Sequence, residues 1–410
     1  MDKSLLFYAI IIILVVQFVI ELILDYLNAQ KFDEPIPQEL QDVFDQEEYK
    51  KAQQYKKTNY RFGLISDTFA FAVTLLFLVF GGFEWIDQLV RQYSQETIPL
   101  ALLFFGFIFL ANSLISIPFS YYKTFTIEER FGFNKTTKKL FFADLLKGWL
   151  LAALIGGPVL ALILWFIEKA GNDFWLYAWL LMTLLMLFMN LFYSKLIVPL
   201  FNKQTPLEEG SLKKSIEAYA QKVGFELKNI FVIDGSKRST KANAYFTGLG
   251  KEKRVTLYDT LINDLDEDEI VAVLAHEVGH YKRHHIVYNL TSSIVLTGLT
   301  LFILSLFINN PEMSYAIGVS QPSYHAALIA FALLYSPISQ VTGLLMNYLS
   351  RKFEFQADNF AKKTFGPDPL ASSLKKLSKN NLSNLNPHPA YVFVHYSHPP
   401  LKERIRNLRA

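Results

Sequence analysis

Cysteine is absent from this chain of 410 residues. The absence excludes disulfides and thiolate metal ligands, leaves the redox compartment open, and confines any metal to His, Asp and Glu. An excess of one charge is also lacking: 40 Lys and Arg stand against 37 Asp and Glu, so no nucleic-acid partner is implied. There is no internal repeat and no low-complexity tract. A cleavable leader is not expected either. One Lys precedes the first apolar block, no small-x-small site follows it, and it runs on into Glu21, Asp25 and a charged loop, which reads as a retained span.

Apolar residues are plentiful: 51% of the chain is hydrophobic and 36 residues are Phe. They fall into blocks at 5–24, 64–83, 100–120, 149–168, 175–195, 287–308 and 325–349. About 20 apolar residues cross a bilayer core. Seven blocks of that length weigh against a large soluble helical enzyme. Lys and Arg crowd the connections 25–63 and 121–148, the segment 196–286 and the tail after 350. The connections 84–99, 169–174 and 309–324 hold Arg91, Lys169 and none. The positive-inside rule then places the N-terminus outside and the C-terminus inside, as an odd number of spans requires.

The expected organisation is five transmembrane helices in 1–195, a first catalytic part in 196–286, two more spans in 287–349 and a second catalytic part in 350–410. Within the first part a helix is predicted over 212–223 and strands over 230–233, 243–247 and 254–258, with a turn at 248–253. A helix opens at Asp266 to Glu269, with acidic residues in its first turn. The 31–60 segment reads as a solvated loop with some helix.

The central signal is His276-Glu277-Val278-Gly279-His280. On a helix, residues four apart share a face, so His276 and His280 can bind one Zn²⁺ while Glu277 acts as general base on its water. A catalytic zinc needs a third protein ligand. His284 lies two turns from His276, about 12 Å of helix rise, too far for one ion. His284 and His285, with Lys282 and Arg283, read as a basic collar where a span leaves the membrane. His325 belongs to the far side of the bilayer. Glu354 remains, with Asp358 four residues on as the acceptor for the free N–H of a ligand imidazole, His276. The helix carrying the histidines is expected to run unbroken into the sixth span, and the helix carrying Glu354 to continue from the seventh. Both ligand sets then lie within about 10 Å of the inner membrane boundary. Hydrolysis also needs an oxyanion donor beyond the metal. His398, stiffened by Pro399 and Pro400, and Arg404 are the candidates, against a helix cap and an exposed basic tail.

These residues resemble the integral-membrane CAAX prenyl endopeptidases over nearly the whole chain. The His276 motif and Phe353-Glu354-Phe355-Gln356-Ala357-Asp358 look like that family's metal motifs. Glu128-Glu129-Arg130-Phe131-Gly132-Phe133-Asn134-Lys135-Thr136-Thr137 looks like its inner-loop signature, and Ser397-His398-Pro399-Pro400 like its C-terminal one. The resemblance implies a mainly α polytopic membrane protein. Seven transmembrane helices enclose a water-filled chamber, capped on the cytosolic side by a thermolysin-like (gluzincin) α+β domain. It implies one Zn²⁺ per chain on His276, His280 and Glu354, with His398 and Arg404 near the reacting carbonyl. Asn243-Ala244-Tyr245 matches an edge strand that pairs with substrate, although an ordinary hairpin strand accounts for it equally well. The partners implied are the lipid bilayer and a peptide or protein substrate, prenylated or merely membrane-associated; the oligomeric state stays open. Short loops, 309–324 above all, and no retrieval signal for the endoplasmic reticulum suit a compact, bacterial member; the membrane expected is a bacterial inner membrane or that of the endoplasmic reticulum, and in a host that does not prenylate proteins the substrate is no CAAX tail. Two alternatives stand beside this: a quality-control membrane protease with the same chemistry, and a transporter whose motif is incidental. Asn112, Asn190, Asn289 and Gln340, polar residues within spans, suit either a hydrated chamber or a transport path.

Overall fold

The computed structural model describes residues 4–227, 229–247 and 254–410; the turn expected over 248–253 lies outside them. Six helical stretches are long and apolar enough to cross a membrane: Leu5–Ala29, Gln46–Val79, Thr97–Glu128, Lys138–Phe201, His285–Phe307 and Tyr324–Thr364. The fourth is not one rod. Gly171, at φ +56°, breaks it. The rings of Phe166 and Tyr177 lie 5.7 Å apart across the break, where a straight helix would separate them by about 16 Å. The chain therefore folds back there, and each of the seven apolar blocks has its own helix.

Packing concentrates at the two ends of the bundle. One core, including Ile86, Phe104, Leu164, Phe174 and Ala326, gathers where the connections 80–97, 171–173 and 308–323 lie. Asp87 is buried there between His325, 2.7 Å away, and Arg91, 2.6 Å away. His325 starts the helix that carries Glu354, and 29 residues of helix separate the two, about 43 Å. At the opposite end, the two chain segments flanking the sixth and seventh spans share one core, which joins Ile216, Leu257, Leu274 and Ala275 to Ala361, Leu370 and Leu408.

That core packs under a four-stranded sheet ordered β1-β2-β4-β3: β1 Gln204–Pro206, β2 Asn229–Ile233, β3 Ala244–Thr247 and β4 Arg254–Tyr258. β2 and β4 run parallel; the other pairs are antiparallel. β1, three residues ending in proline, is too short to show alternation, and the sequence did not reveal it. β3 pairs only with β4 and forms one edge. By alternation Ala244 faces the helices while Tyr245 faces away, within 6.3 Å of the Tyr258 ring.

The 31–60 segment differs from expectation. The second helix begins at Gln46, well ahead of the membrane, behind a capping box in which Asp45 and Glu48 satisfy each other's backbone N–H groups. Leu40, Val43, Phe44, Ala52 and Tyr55 are buried in a third core, with Ile127, Phe131 and Phe133 of the inner loop and Leu382, Leu385 and Ile405 of the C-terminal part. Mixed charge on the outer face hid an apolar inner face. The inner loop also holds the approach to β3. Lys241 Nζ donates to Glu128 Oε2 (2.8 Å) and to Tyr55 Oη (3.0 Å), and Thr240 N donates to Phe133 O.

Candidate metal centre

The helix bearing the motif, Glu267–Lys282, starts on another capping box, Asp266 with Glu269. Such a cap contributes about 1 kcal/mol. Glu269 is buried and held further by Lys376 Nζ (2.8 Å) and Ser372 Oγ (2.6 Å). The helix crosses Tyr324–Thr364 at Gly279. A Cβ there would stand 3.0 Å from Ala357 Cα and 3.1 Å from the Ala357 carbonyl oxygen. The glycine between the two histidines thus permits the close approach of the helices that brings Glu354 to them.

His276 Nε2 and His280 Nε2 lie 3.1 Å apart. Glu354 Oε2 stands 3.4 Å from the first and Oε1 3.2 Å from the second. Among the described residues, one donor atom from each of these three is the set that could hold a metal ion. The residues fit such an ion. Glu354 is 4% exposed, and its buried Oε2 makes no hydrogen bond, only ion-pair contacts at 3.4 Å with His276 and 3.5 Å with Arg404, which leaves a lone pair for a cation at the common point. The Nδ1 of each imidazole is occupied elsewhere, which leaves the Nε2 lone pairs directed at the common point.

His276 Nδ1 lies 2.9 Å from Asp358 Oδ1. Asp358, fully buried, also takes both arms of Arg404: Nε donates to Oδ2 (2.9 Å) and Nη2 to Oδ1 (2.6 Å). Arg404 Nη1 is 3.5 Å from Glu354 Oε2. Without metal, burial alone would depress the His276 imidazole, but the neighbouring Asp358 and Glu354 carboxylates outweigh burial and raise it to about 9. A proton then occupies the position that a metal would take.

The remaining candidates fall around this centre. Glu277 is partly exposed, and its charge reaches Arg404. His398 Nε2 is 3.3 Å from Glu354 Oε1, with its side chain 65% exposed. It is delivered by the turn after Pro389–His395, which the Glu354 helix ties down: Asn347 Nδ2 donates to Val394 O (2.7 Å) and Arg351 Nη1 to Val392 O (3.2 Å). Asn243, Ala244 and Tyr245 lead into and begin the edge strand. His284 takes no part in the cluster.

Two expectations are corrected here. The motif helix does not run unbroken into the sixth span. It stops at Lys282, His284 takes a left-handed backbone at φ +59°, and a new helix starts at His285. His285, consequently, does not belong to an interfacial collar. It is 2% exposed, stacks on Phe353 at 4.2 Å, and places Nδ1 3.0 Å from His280 Nδ1 and Nε2 2.9 Å from Gln356 Oε1. The available signal was the three-residue spacing of Phe353 and Gln356, which puts them on one helix face. The break that turns His285 toward them has no mark in the sequence, since nothing there is Gly or Pro.

Comparison with known proteins agrees with this geometry. Residues 25–203 match the family model described as the CAAX prenyl protease N-terminal region with five membrane helices, and residues 206–410 match Peptidase family M48. The chain is 37% identical to CAAX prenyl protease 1 of Saccharomyces cerevisiae, covering 96% of this chain and 93% of that one. It is 35% identical to the human CAAX prenyl protease 1 homolog, covering 91% and 88%. Its fold matches the crystal structure of S. mikatae Ste24p with a TM-score of 0.94, 36% identity and full coverage of both chains.

Proposed function

The chain belongs to the CAAX prenyl protease family of M48 metallopeptidases, membrane-embedded enzymes that hydrolyse peptide bonds, and from this we propose that it is a zinc endopeptidase with one ion per chain, acting near the C-terminus of prenylated or membrane-associated peptides. The observation that carries the zinc reading is the convergence of two imidazole Nε2 atoms, 3.1 Å apart, on one carboxylate, Glu354, which sets Oε2 3.4 Å from the first and Oε1 3.2 Å from the second. Four tetrahedral bonds of about 2.0–2.1 Å set ligand atoms about 3.3–3.4 Å apart; the longer bonds of calcium would need wider spacing and more oxygen.

When bound, the zinc acts as a Lewis acid on the scissile carbonyl and acidifies a water. The protein's own groups supply the rest. Glu277, at the partly exposed side of the motif helix, accepts the proton of the attacking water and passes it to the leaving amine. His398, exposed and 3.3 Å from Glu354, donates to the oxyanion that forms on the carbonyl. Asp358 fixes the His276 ring, and Arg404 holds Asp358 in place. The free edge of β3 takes the substrate as an added strand, with affinity from main-chain bonds. The basic connections support a cytosolic position for this machinery. The spanning windows bury 6–17% of their residues and the packed cores gather at the two ends of the bundle, an arrangement that suits a water-filled chamber between them.

The test is zinc content of the purified protein together with cleavage mapping on a farnesylated peptide and its unprenylated twin. One zinc per chain and faster cleavage of the farnesylated peptide are expected. Equal cleavage of both peptides would remove the prenyl part of the reading. Activity that survives complete chelation would remove the zinc part.

A further inference from the structure

The two imidazoles of the metal centre are oriented by chemically different partners. His276 leans on a carboxylate, Asp358. His280 meets a second imidazole, His285, with the two Nδ1 atoms 3.0 Å apart, and His285 Nε2 lies 2.9 Å from Gln356 Oε1. Nothing in the proposed activity requires this second arrangement.

The hydrogen bonds of this chain have one direction compatible with ligation. Gln356 Oε1 can only accept, so His285 carries its proton on Nε2. His285 Nδ1 is then a lone pair and accepts the proton of His280 Nδ1. That leaves His280 Nε2 deprotonated and facing Glu354. In the opposite direction His280 would carry its proton on Nε2, and that atom could not ligate. The backbone is bent to make the contact possible. In an unbroken helix residues five apart are separated by about 140° around the axis, so His285 would face away from His280. The break at Arg283 and His284 removes this obstacle. It leaves a non-glycine residue in the left-handed region, and strain of this kind persists only where surrounding contacts hold it. Those contacts are present: His285 is 2% exposed, its ring stacked on Phe353 with planes 12° apart. One helix thus presents two stripes. Glu354 and Asp358, four apart, serve the metal and His276; Phe353 and Gln356, three apart, serve His285.

We propose that His285, aimed by the left-handed turn at His284 and held by Gln356 and Phe353, is the positioning residue that sets the tautomer and ring orientation of the ligand His280. This rests on the reading of His276, His280 and Glu354 as the metal ligands. A neutral acceptor at His280 adds no third buried carboxylate to a site that already holds Glu354 and Asp358.

The experiment measures zinc affinity of the full-length protein by competition with a chelator, with thermal unfolding of the metal-free forms to verify folding. His285→Leu should weaken zinc binding about 10–100-fold. His285→Asn, whose carboxamide oxygen can accept the same N–H, should recover most of that loss. His284→Gly, which relaxes the backbone, should bind zinc as the parent does, whereas His284→Val, which disfavours the left-handed conformation, should behave like His285→Leu. Parent-like affinity in His285→Leu, or equal losses in the Leu and Asn variants, would overturn the inference. If His285→Leu does not fold, Gln356→Leu and Gln356→Glu take its place: the first should weaken zinc binding, the second keep it, and equal affinities would overturn the proposal. His280→Ala separates the two levels. Should it retain zinc, the metal-site reading itself is wrong; should it lose zinc while His285→Leu does not, only the role of His285 is.

Discussion

Replacing Asp358 by Asn changes one atom and removes one charge, yet the structure gives it two separate costs. The carboxylate receives three polar contacts, from His276 Nδ1 at 2.9 Å and from Arg404 Nε and Nη2 at 2.9 and 2.6 Å. An amide has one oxygen: in the Oδ1 place it leaves its NH₂ facing Arg404 Nε, and in the Oδ2 place it turns that NH₂ on both the imidazole and Arg404 Nη2, donor against donor, while either way the imidazole loses a charged acceptor. The first cost is metal affinity. Losing the orienting acceptor of a ligand imidazole typically weakens binding about 10–100-fold, or about 1.4–2.7 kcal/mol. The second cost is stability. The Arg404 side chain is 11% exposed, and a buried charge stripped of its partner typically costs about 3–5 kcal/mol. Glu354, 3.5 Å from Arg404 Nη1, offsets part of this, so the lower end applies. Chelator competition reads the first cost and thermal unfolding of the metal-free protein reads the second. Adding Arg404→Gln removes the orphaned charge, so the double variant should recover stability without recovering zinc affinity. Unchanged zinc affinity in Asp358→Asn would refute the assignment of Asp358 to His276, and restoration of both quantities by the double variant would show that the site is sensitive to charge alone.

Glu277→Gln should keep stoichiometric zinc and lose turnover, because Glu277 handles the proton and is not a ligand; metal analysis beside a cleavage assay decides it, and an active variant would exclude the role. His398→Ala should lower turnover about 100–1000-fold with zinc retained; loss of zinc would instead make His398 a ligand. Zinc affinity should rise with pH, since binding expels a proton that the Asp358 and Glu354 carboxylates keep on His276 up to about pH 9 in the metal-free protein. Below that value the gain from this proton is up to about tenfold per pH unit and it levels off above; a flat profile between pH 6 and 8 would show that the imidazole is already neutral. Asn243→Ala, just before the free edge of β3, should impair peptide cleavage more than zinc binding; equal effects on both would place Asn243 in the metal site's support.

The amino-acid sequence by itself determined the parts of this protein that depend on local periodicity and on the chemistry of single side chains. Apolar runs of spanning length marked the helices of the bundle, because such runs are costly to expose to water. Asp266 and Glu269 marked the start of the motif helix, and the four-residue spacings of His276 with His280 and of Glu354 with Asp358 put each pair on one face. Cysteine's absence confined the metal to these donors. What only the tertiary structure decided are the features that need two distant segments at once. The 31–60 segment looked solvated because its apolar residues have meaning only against Phe131, Phe133 and Ile405. β1 exists because β2 offers it an edge. Arg404 finds Asp358 from 46 residues away. Gly279 reads as an ordinary glycine until Ala357 is laid against it. His285 changed most, since a left-handed backbone at His284 carries no sequence mark. That conformation is unfavourable for the isolated chain and becomes acceptable only when Phe353, Gln356 and His280 are in place to hold it.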